Sequence, residues 1–271
     1  MSSFDPAALA HEIKAAQNHA GELIPFTSHY ADFDLAAAYD VAHRVHAMRL
    51  AEGAVPVGRK IGFTNPEMWD LYGVRAPVWA HVFDGTVVSG VHGTARCKIG
   101  GFVAPKIEPE IVVHFHSQPP ASADPTELLA CIDWIAHGIE IVQSHFPNWK
   151  FQAADTVADQ ALHATLLVGT PCPTDRLGPN PITTLEAFSV TLSCNGQVVE
   201  TGHGRNVLGS PLNAVSHLLQ VIAQMGAAPI RAGEIITTGT ITKAHAIQIG
   251  EVWGTEFEGI ALPGLRIAFE R

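Results

Sequence analysis

The sequence predicts an α+β fold, with a small helical N-terminal region over residues 1–55 and a strand-rich unit over 56–271. Three observations carry this. Helix start and stop signals fill the first fifty residues. An Asn195-Gly196 pair sits between two alternating runs. Strand-like runs then recur to the C-terminus with one long helix among them.

Asp5-Pro6 supplies an N-cap acceptor and a first-turn proline, so a helix runs from there to about His19. A second helix covers Leu35 to Ala51 and is stopped by Gly53. VPVGRKIGFT reads as a short strand leading into a turn at Asn65-Pro66. From Val82 to about Gly101 the chain is rich in Val, Gly and Thr, which predicts short strands, and Glu108–Phe115 is a further strand. Asp124-Pro125 with Glu127 resembles a capping box opening a helix over Pro125–His137, ended by Gly138. A strand carrying Glu140 follows at once. AFSVTLSCNGQVVET is a hairpin with a type I′ turn. A helix from Pro211 to about Gln224 precedes strands in EIITTGT, EVWGTEFEG and LRIAFE. No repeat, low-complexity tract or Pro/Ser linker divides the chain.

Composition narrows the function classes. The chain has 271 residues, 47% hydrophobic and 15% charged, which suits a folded protein with a buried core. A formal net charge of −10 with no basic stripe argues against nucleic acid and anionic membranes as partners. Cys97, Cys131, Cys172 and Cys194 lie far apart and form no C-x-x-C pair, as expected of reduced thiols in a cytoplasmic protein. No signal peptide and no membrane-spanning run is read.

The densest chemical signal is IEPEIVVHF, residues 107–115, with GIEIV, residues 138–142. Alternate side chains of a strand share a face, so Glu108 and Glu110 project together, and Glu140 sits in a second apolar run. Two readings stand. Carboxylates on core-like strands can bind a hard divalent cation, Mg²⁺ or Mn²⁺, or they can alternate outward to solvent. Lys60 in GRKIGFT is either a partly desolvated acid/base group or a lysine reaching the strand edge. Asp155 and Asp159 either approach a ligand or cap a turn. His114 and His116 alternate like the glutamates and are imidazole ligands only if theirs is the site face. Gly202, Gly204 and Gly209 do not make a dinucleotide fingerprint, and no nucleophile elbow, P-loop or H-E-x-x-H is present.

The order GRKIGFT, E-P-E-I, GIEIVQSHF, DTVADQ, GHGRNVLGSPLNAVSHLL, AGEIITTGT resembles the hydratase/decarboxylase branch of the fumarylacetoacetate hydrolase superfamily. The resemblance runs from about Val57 to the C-terminus, and the helical N-terminal part fits it. It implies a mixed β-roll core and a metal-dependent lyase of aromatic-compound catabolism that takes a 2-oxo acid. Hydration of a 2-hydroxydienoate or 2-oxoalkenoate comes first; decarboxylation of a 4-oxalocrotonate-type acid and C–C bond hydrolysis are alternatives. It implies Glu108, Glu110 and Glu140 as metal carboxylates, Lys60 as the acid/base lysine, and Thr238, Gly239 and Thr240 facing the substrate carboxylate. Asp159, within DTVADQ, joins the substrate-binding candidates. Dimers or larger homo-oligomers are implied, as is a complex with a pathway partner enzyme.

One departure stands out. Hydratases of this type carry an Asp-Tyr-Gly stretch after the lysine strand. Here Pro77-Val78-Trp79-Ala80-His81 corresponds, with Val78 in place of the aspartate. His81 is then a candidate replacement acid/base, and Val78 and Trp79 candidate walls of a more apolar pocket. A reading of another class is a catalytically silent partner subunit that keeps the fold.

Overall fold

The computed structural model describes residues 4–66, 69, 74 and 76–271. Helix α1, Pro6–His19, is capped by the Asp5 carboxylate accepting from the Ala7 amide, and α2, Leu35–Ala51, by Asp34 accepting from Ala37. Both match the predicted bounds, and Gly53 turns the chain out of α2 at φ +92°.

Fourteen strands follow among the described residues. They are β1 Pro56–Gly62, β2 Val78–Phe83, β3 Val87–Val91, β4 Thr94–Lys98, β5 Lys106–Phe115, β6 Ile132–Val142, β7 His163–Gly169 and β8 Cys172–Pro173. After these come β9 Ser189–Cys194, β10 Gln197–His203, β11 Ile235–Thr237, β12 His245–Ala246, β13 Val252–Glu258 and β14 Arg266–Glu270. Three short helices, α3 Pro125–Leu129, α4 Ala153–Ala158 and α5 Pro181–Ala187, and the longer α6, Pro211–Gln224, lie between them.

The strands form two mixed sheets. The larger runs β2-β1-β11-β5-β6-β7-β3, with β12 added on β5 and β8 on β6; the smaller runs β10-β9-β13-β14-β4. Ile107, Ile139, Ile141 and Leu167 of the large sheet pack against Leu192, Trp253, Ile267 and Phe269 of the small one. α6 buries Leu212, Val215, Leu218 and Ile222 in a second core with Ile61, Ile111, Val113 and Ile135. Leu9, Ile13, Val41 and Val45 of α1 and α2 pack with Val78, Ala80, Phe146 and Val157. The helical N-terminal part therefore shares a core with β2 and α4.

One element departs from expectation. The capping box forms as read, with Asp124 and Glu127 exchanging side-chain and backbone bonds, but the helix ends at Leu129, not His137. Residues 132–142 pair with β5 along its whole length, from Phe115↔Ile132 to Lys106↔Val142. The β-branched Ile132, Ile135, Ile139, Ile141 and Val142 suit a buried strand, and sheet pairing overrides the cap. Gly138 is a mid-strand residue, where a Cβ would stand 2.6 Å from Val112 Cγ2. The β9–β10 hairpin forms as predicted, with Asn195 and Gly196 both at positive φ.

Gly58 holds β1 against β11. Its Cβ position lies 2.0 Å from the Ile235 carbonyl oxygen, and backbone cannot move aside without breaking the parallel pairing. Gly58→Ala is therefore expected to destabilise the fold by about 1–3 kcal/mol or more. Urea denaturation with an unchanged midpoint would refute this.

Candidate metal centre and active-site cavity

The β5–β6 pairing places Glu108 directly opposite Glu140, and Glu110 opposite Gly138. Odd-numbered Ile107, Ile111 and Val113 turn into the apolar cores, so the even-numbered carboxylates share the other face. On that face each of the three glutamates offers a carboxylate oxygen, and these oxygens all lie within 4.8 Å of one another. Like charges directly across a strand pair repel, and here Glu110 and Glu140 are fully buried.

The neighbours partly answer that charge. Lys60, 2% exposed, comes from β1 and sets Nζ 2.9 Å from Glu140 Oε1. His163 at the head of β7 places Nδ1 2.7 Å from the same oxygen, and its Nε2 lies 2.8 Å from Thr86 Oγ1. Glu110 Oε2 accepts from the Gly239 amide at 2.8 Å and from the Thr237 hydroxyl. Glu110 Oε1 and Glu140 Oε2 are buried with no hydrogen-bond partner among the described residues. Two such oxygens beside a third carboxylate fit a hard divalent cation, and Glu108, Glu110 and Glu140 are the residues that would hold it.

Titration follows the same geometry. Burial pushes the Glu108 carboxyl up, to about 7, with Lys60 opposing and Glu140 reinforcing the rise. Glu110 is pushed well above the usual range by burial and by the Glu140 and Glu108 charges. Glu140 goes the other way: burial would raise it, but Lys60 and His163 bring it below its ordinary value. For Lys60, burial alone would favour the neutral amine, yet the charges of Glu140, Glu108 and Glu110 outweigh it and raise its pKa. The three carboxylates thus favour the ammonium form of Lys60.

A cavity of about 240 Å³ opens beside this cluster. Lys60 and Glu108 reach its wall, with Thr240, Thr242 and Lys243 from the segment after β11. Val78, Val142, Ala161 and Leu162 make one apolar side, and Phe63, Trp149 and Phe151 supply rings. Lys106 also lines it, with Nζ 3.8 Å above the Trp149 ring. Burial lowers the Lys106 pKa, partly offset by Glu108.

The structure brings Lys60, Val78, Glu108 and Thr240 to one cavity, with Glu110, Glu140 and Gly239 behind them. Gly239 stands at φ +97°, and a Cβ there would meet Thr64 Oγ1 at 1.9 Å. Thr238 turns away: its hydroxyl and its amide both donate to the Ile111 carbonyl.

With Thr238, three further residues correct the expectation: His81, Trp79 and Asp159. His81 and Trp79 project from the opposite face of β2 to Val78, because strand alternation puts them beside Arg59 and Ile61. His81 stacks on His46, with ring centroids 3.9 Å apart, and does not reach Lys60. Asp159 does not line the cavity. It accepts from Gln17 Nε2 at 2.9 Å and lies 2.7 Å from His145 Nδ1, tying α1 to the end of β6. Asp155 is likewise structural, accepting from the Thr27 amide and hydroxyl. His114 lies at the far end of β5 beside Asp133, stacked on Trp134. Lys106, Thr64 and the Trp149–Phe151 wall were not read as site residues; only their neighbourhood to the E-P-E motif marks Lys106, and nothing local marks the others.

Comparisons with known proteins bear on the family of the chain. Residues 74–264 match the family model described as fumarylacetoacetate (FAA) hydrolase C-terminal. A 2-keto-4-pentenoate hydratase of Paraburkholderia phymatum is 28% identical over 93% of both chains. A 4-oxalocrotonate decarboxylase of Pseudomonas sp. (strain CF600) is 30% identical over 93% of both. The solved 4-oxalocrotonate decarboxylase from Pseudomonas putida G7, complexed with magnesium and adipate, superposes with a TM-score of 0.89 at 27% identity. That match covers 99% of this chain and 100% of the other. The α+β architecture, the carboxylate cluster and these relatives agree: the chain belongs to the fumarylacetoacetate hydrolase family.

Proposed function

We propose that this protein is a divalent-metal-dependent lyase that hydrates a 2-hydroxydienoate or its 2-oxoalkenoate tautomer. The observation that carries the reading is the pair of unpartnered, buried oxygens of Glu110 and Glu140 beside Glu108 and the Lys60 ammonium. The hydratase and decarboxylase names of relatives covering 93% of their own length support it. Glu108, Glu110 and Glu140 would hold Mg²⁺ or Mn²⁺, which would supply Lewis-acid polarisation of a 2-oxo acid.

The chain's own residues do the rest. Lys60 holds a transferable proton at Nζ, at the cavity wall, with Glu140 and His163 behind it. In hydration, the enolic 2-hydroxyl loses a proton as C5 gains one, giving the conjugated 2-oxo-3-enoate. Water then adds hydroxyl at C4 and a proton at C3. Lys60 is the group placed to give its Nζ proton at C5 and, as the amine so formed, to take up the proton that the 2-hydroxyl loses. The apolar walls of Val78, Val142 and Leu162 take the hydrocarbon tail and limit water access.

Val78 favours a second reading. Among the described residues that line the cavity, Glu108 is the sole carboxylate. Val78 in place of the family aspartate suits loss of carbon dioxide from a 2-oxo acid, the decarboxylase alternative, which the name of a 30% identical relative also supports. A catalytically silent subunit is separated from both by turnover of the isolated chain with metal.

Proton NMR of the metal-stripped protein with 2-hydroxypenta-2,4-dienoate tests the reading. Appearance of 4-hydroxy-2-oxopentanoate only after Mg²⁺ is expected; none with metal would sink the hydratase assignment. Glu108→Gln should lower the metal-dependent rate roughly a hundredfold or more, since Lewis-acid stabilisation supplies several kcal/mol.

The carboxyl titrations give a second check. A carboxyl with a raised folded pKa binds its proton more tightly folded than unfolded. Its stabilising contribution is present at low pH and is lost as pH rises through that pKa, about 7 for Glu108. Melting of the metal-free protein should therefore show stability falling between about pH 5 and about pH 8. Glu108→Gln should flatten that slope, and Mg²⁺ should stabilise the native protein more at the higher pH. An equal slope in the variant would contradict the buried-carboxylate account.

A further inference from the structure

A second cavity, of about 380 Å³, lies between α2, the opposite face of β1–β2 and the C-terminal end of α6. Its polar wall is Tyr39, His43 and His46 from α2, Arg59 from β1, Trp79 and His81 from β2, and Gln160 before β7. No acidic residue lines it among the described residues. The side chains are layered. His46 stacks on His81, Trp79 and His81 meet edge to face with ring centroids 5.2 Å apart, and the Arg59 guanidinium lies 5.3 Å from the Trp79 ring centre.

The wall is rich in unanswered donors. Arg59 is 2% exposed; its Nε reaches Glu234 at 3.3 Å and its Nη2 donates to the Pro229 carbonyl, but Nη1 has no partner among the described residues. Trp79 Nε1 and His46 Nδ1 are also buried and unpartnered. Of eight buried side-chain polar atoms without a partner among the described residues, three belong to this wall and two to the glutamate cluster. Arg59 Nη1 and Trp79 Nε1 can only donate, and leaving such donors buried and unsatisfied is costly, so their presence around one cavity points to a missing acceptor.

The chemistry of that acceptor follows from charge. A metal ion is disfavoured, since the glutamates are the one His/Cys/Asp/Glu group among the described residues with ligand atoms close enough to share an ion. A guanidinium in the wall also repels cations. Burial and the positive charges around it hold His81 down to about 3, so the wall already resists further positive charge. Tyr39, Ala42, Ala80, Met225 and Ala227 supply an apolar side too large for a bare inorganic ion.

We infer that this cavity binds a small organic anion, with a carboxylate paired to Arg59 and an apolar body against Tyr39 and Trp79. The site stands apart from the metal centre, because Arg59 and Lys60 are adjacent on β1 and point to opposite faces. It does not rest on the proposed reaction.

The test uses the Mg²⁺-loaded protein with 4-bromobenzoate as probe. Crystals soaked in it should show the bromine anomalous peak in the second cavity. Calorimetry should show binding that weakens at least about tenfold in Arg59→Met, the loss of one charge-assisted pairing. Ala42→Trp, which fills the cavity from α2 and removes no polar partner, should abolish binding at this site and guards against misfolding of the arginine variant. Inorganic phosphate should bind more weakly than the probe. The inference is overturned by bromine only at the Lys60 cavity, by a cavity holding only water or a second copy's side chain, by phosphate binding as tightly as the probe, or by unchanged affinity in both variants.

Discussion

The structure turns on a repulsion. Antiparallel pairing sets Glu108 opposite Glu140 on the buried face of β5–β6, with Glu110 one step along the same face. In a sheet interior such an arrangement costs free energy unless positive charge is close by. The Lys60 ammonium and His163 answer Glu140, while the Thr237 hydroxyl and Gly239 amide answer one oxygen of Glu110. The oxygens left over define the centre. β11 and the loop after it matter for the same reason: they bring Thr237 and Gly239 to Glu110 on one side and pair with β1, which carries Lys60, on the other.

Much of this was legible in the chain because it is written at short range. Alternation in I-E-P-E-I places two carboxylates on one face, whatever the partner strand, and the Asn195-Gly196 turn and the caps of α1 and α2 are equally local. The failures are where a decision is made across the sheet. The Asp124 cap favoured a long helix, but pairing with β5 claims the chain from Ile132 onward. Asp159 looked like a ligand-side acid, yet His145 and Gln17, distant in sequence, take both its oxygens.

The parity of β2 was the subtlest case. Val78, Trp79 and His81 were grouped by sequence as one replacement stretch, but successive strand residues cannot serve one cavity. Val78 faces Lys60's side and the other two face Arg59's. Residues drawn from the Phe146–Phe151 segment, such as Trp149, had no local signature because only the tertiary fold carries that segment over the cavity mouth.

That parity also bears on how the chain can vary. Inserting or deleting one residue in β1 upstream of Arg59 would exchange its two faces, sending a guanidinium among the glutamates and an amine among the histidines. Both cavities would fail together, and no single compensating substitution could restore them. The spacing along β1 up to Lys60 is therefore a reading frame, whereas the exposed β9–β10 hairpin tip, tied to β13 through Asn195 and Val252, lines neither cavity.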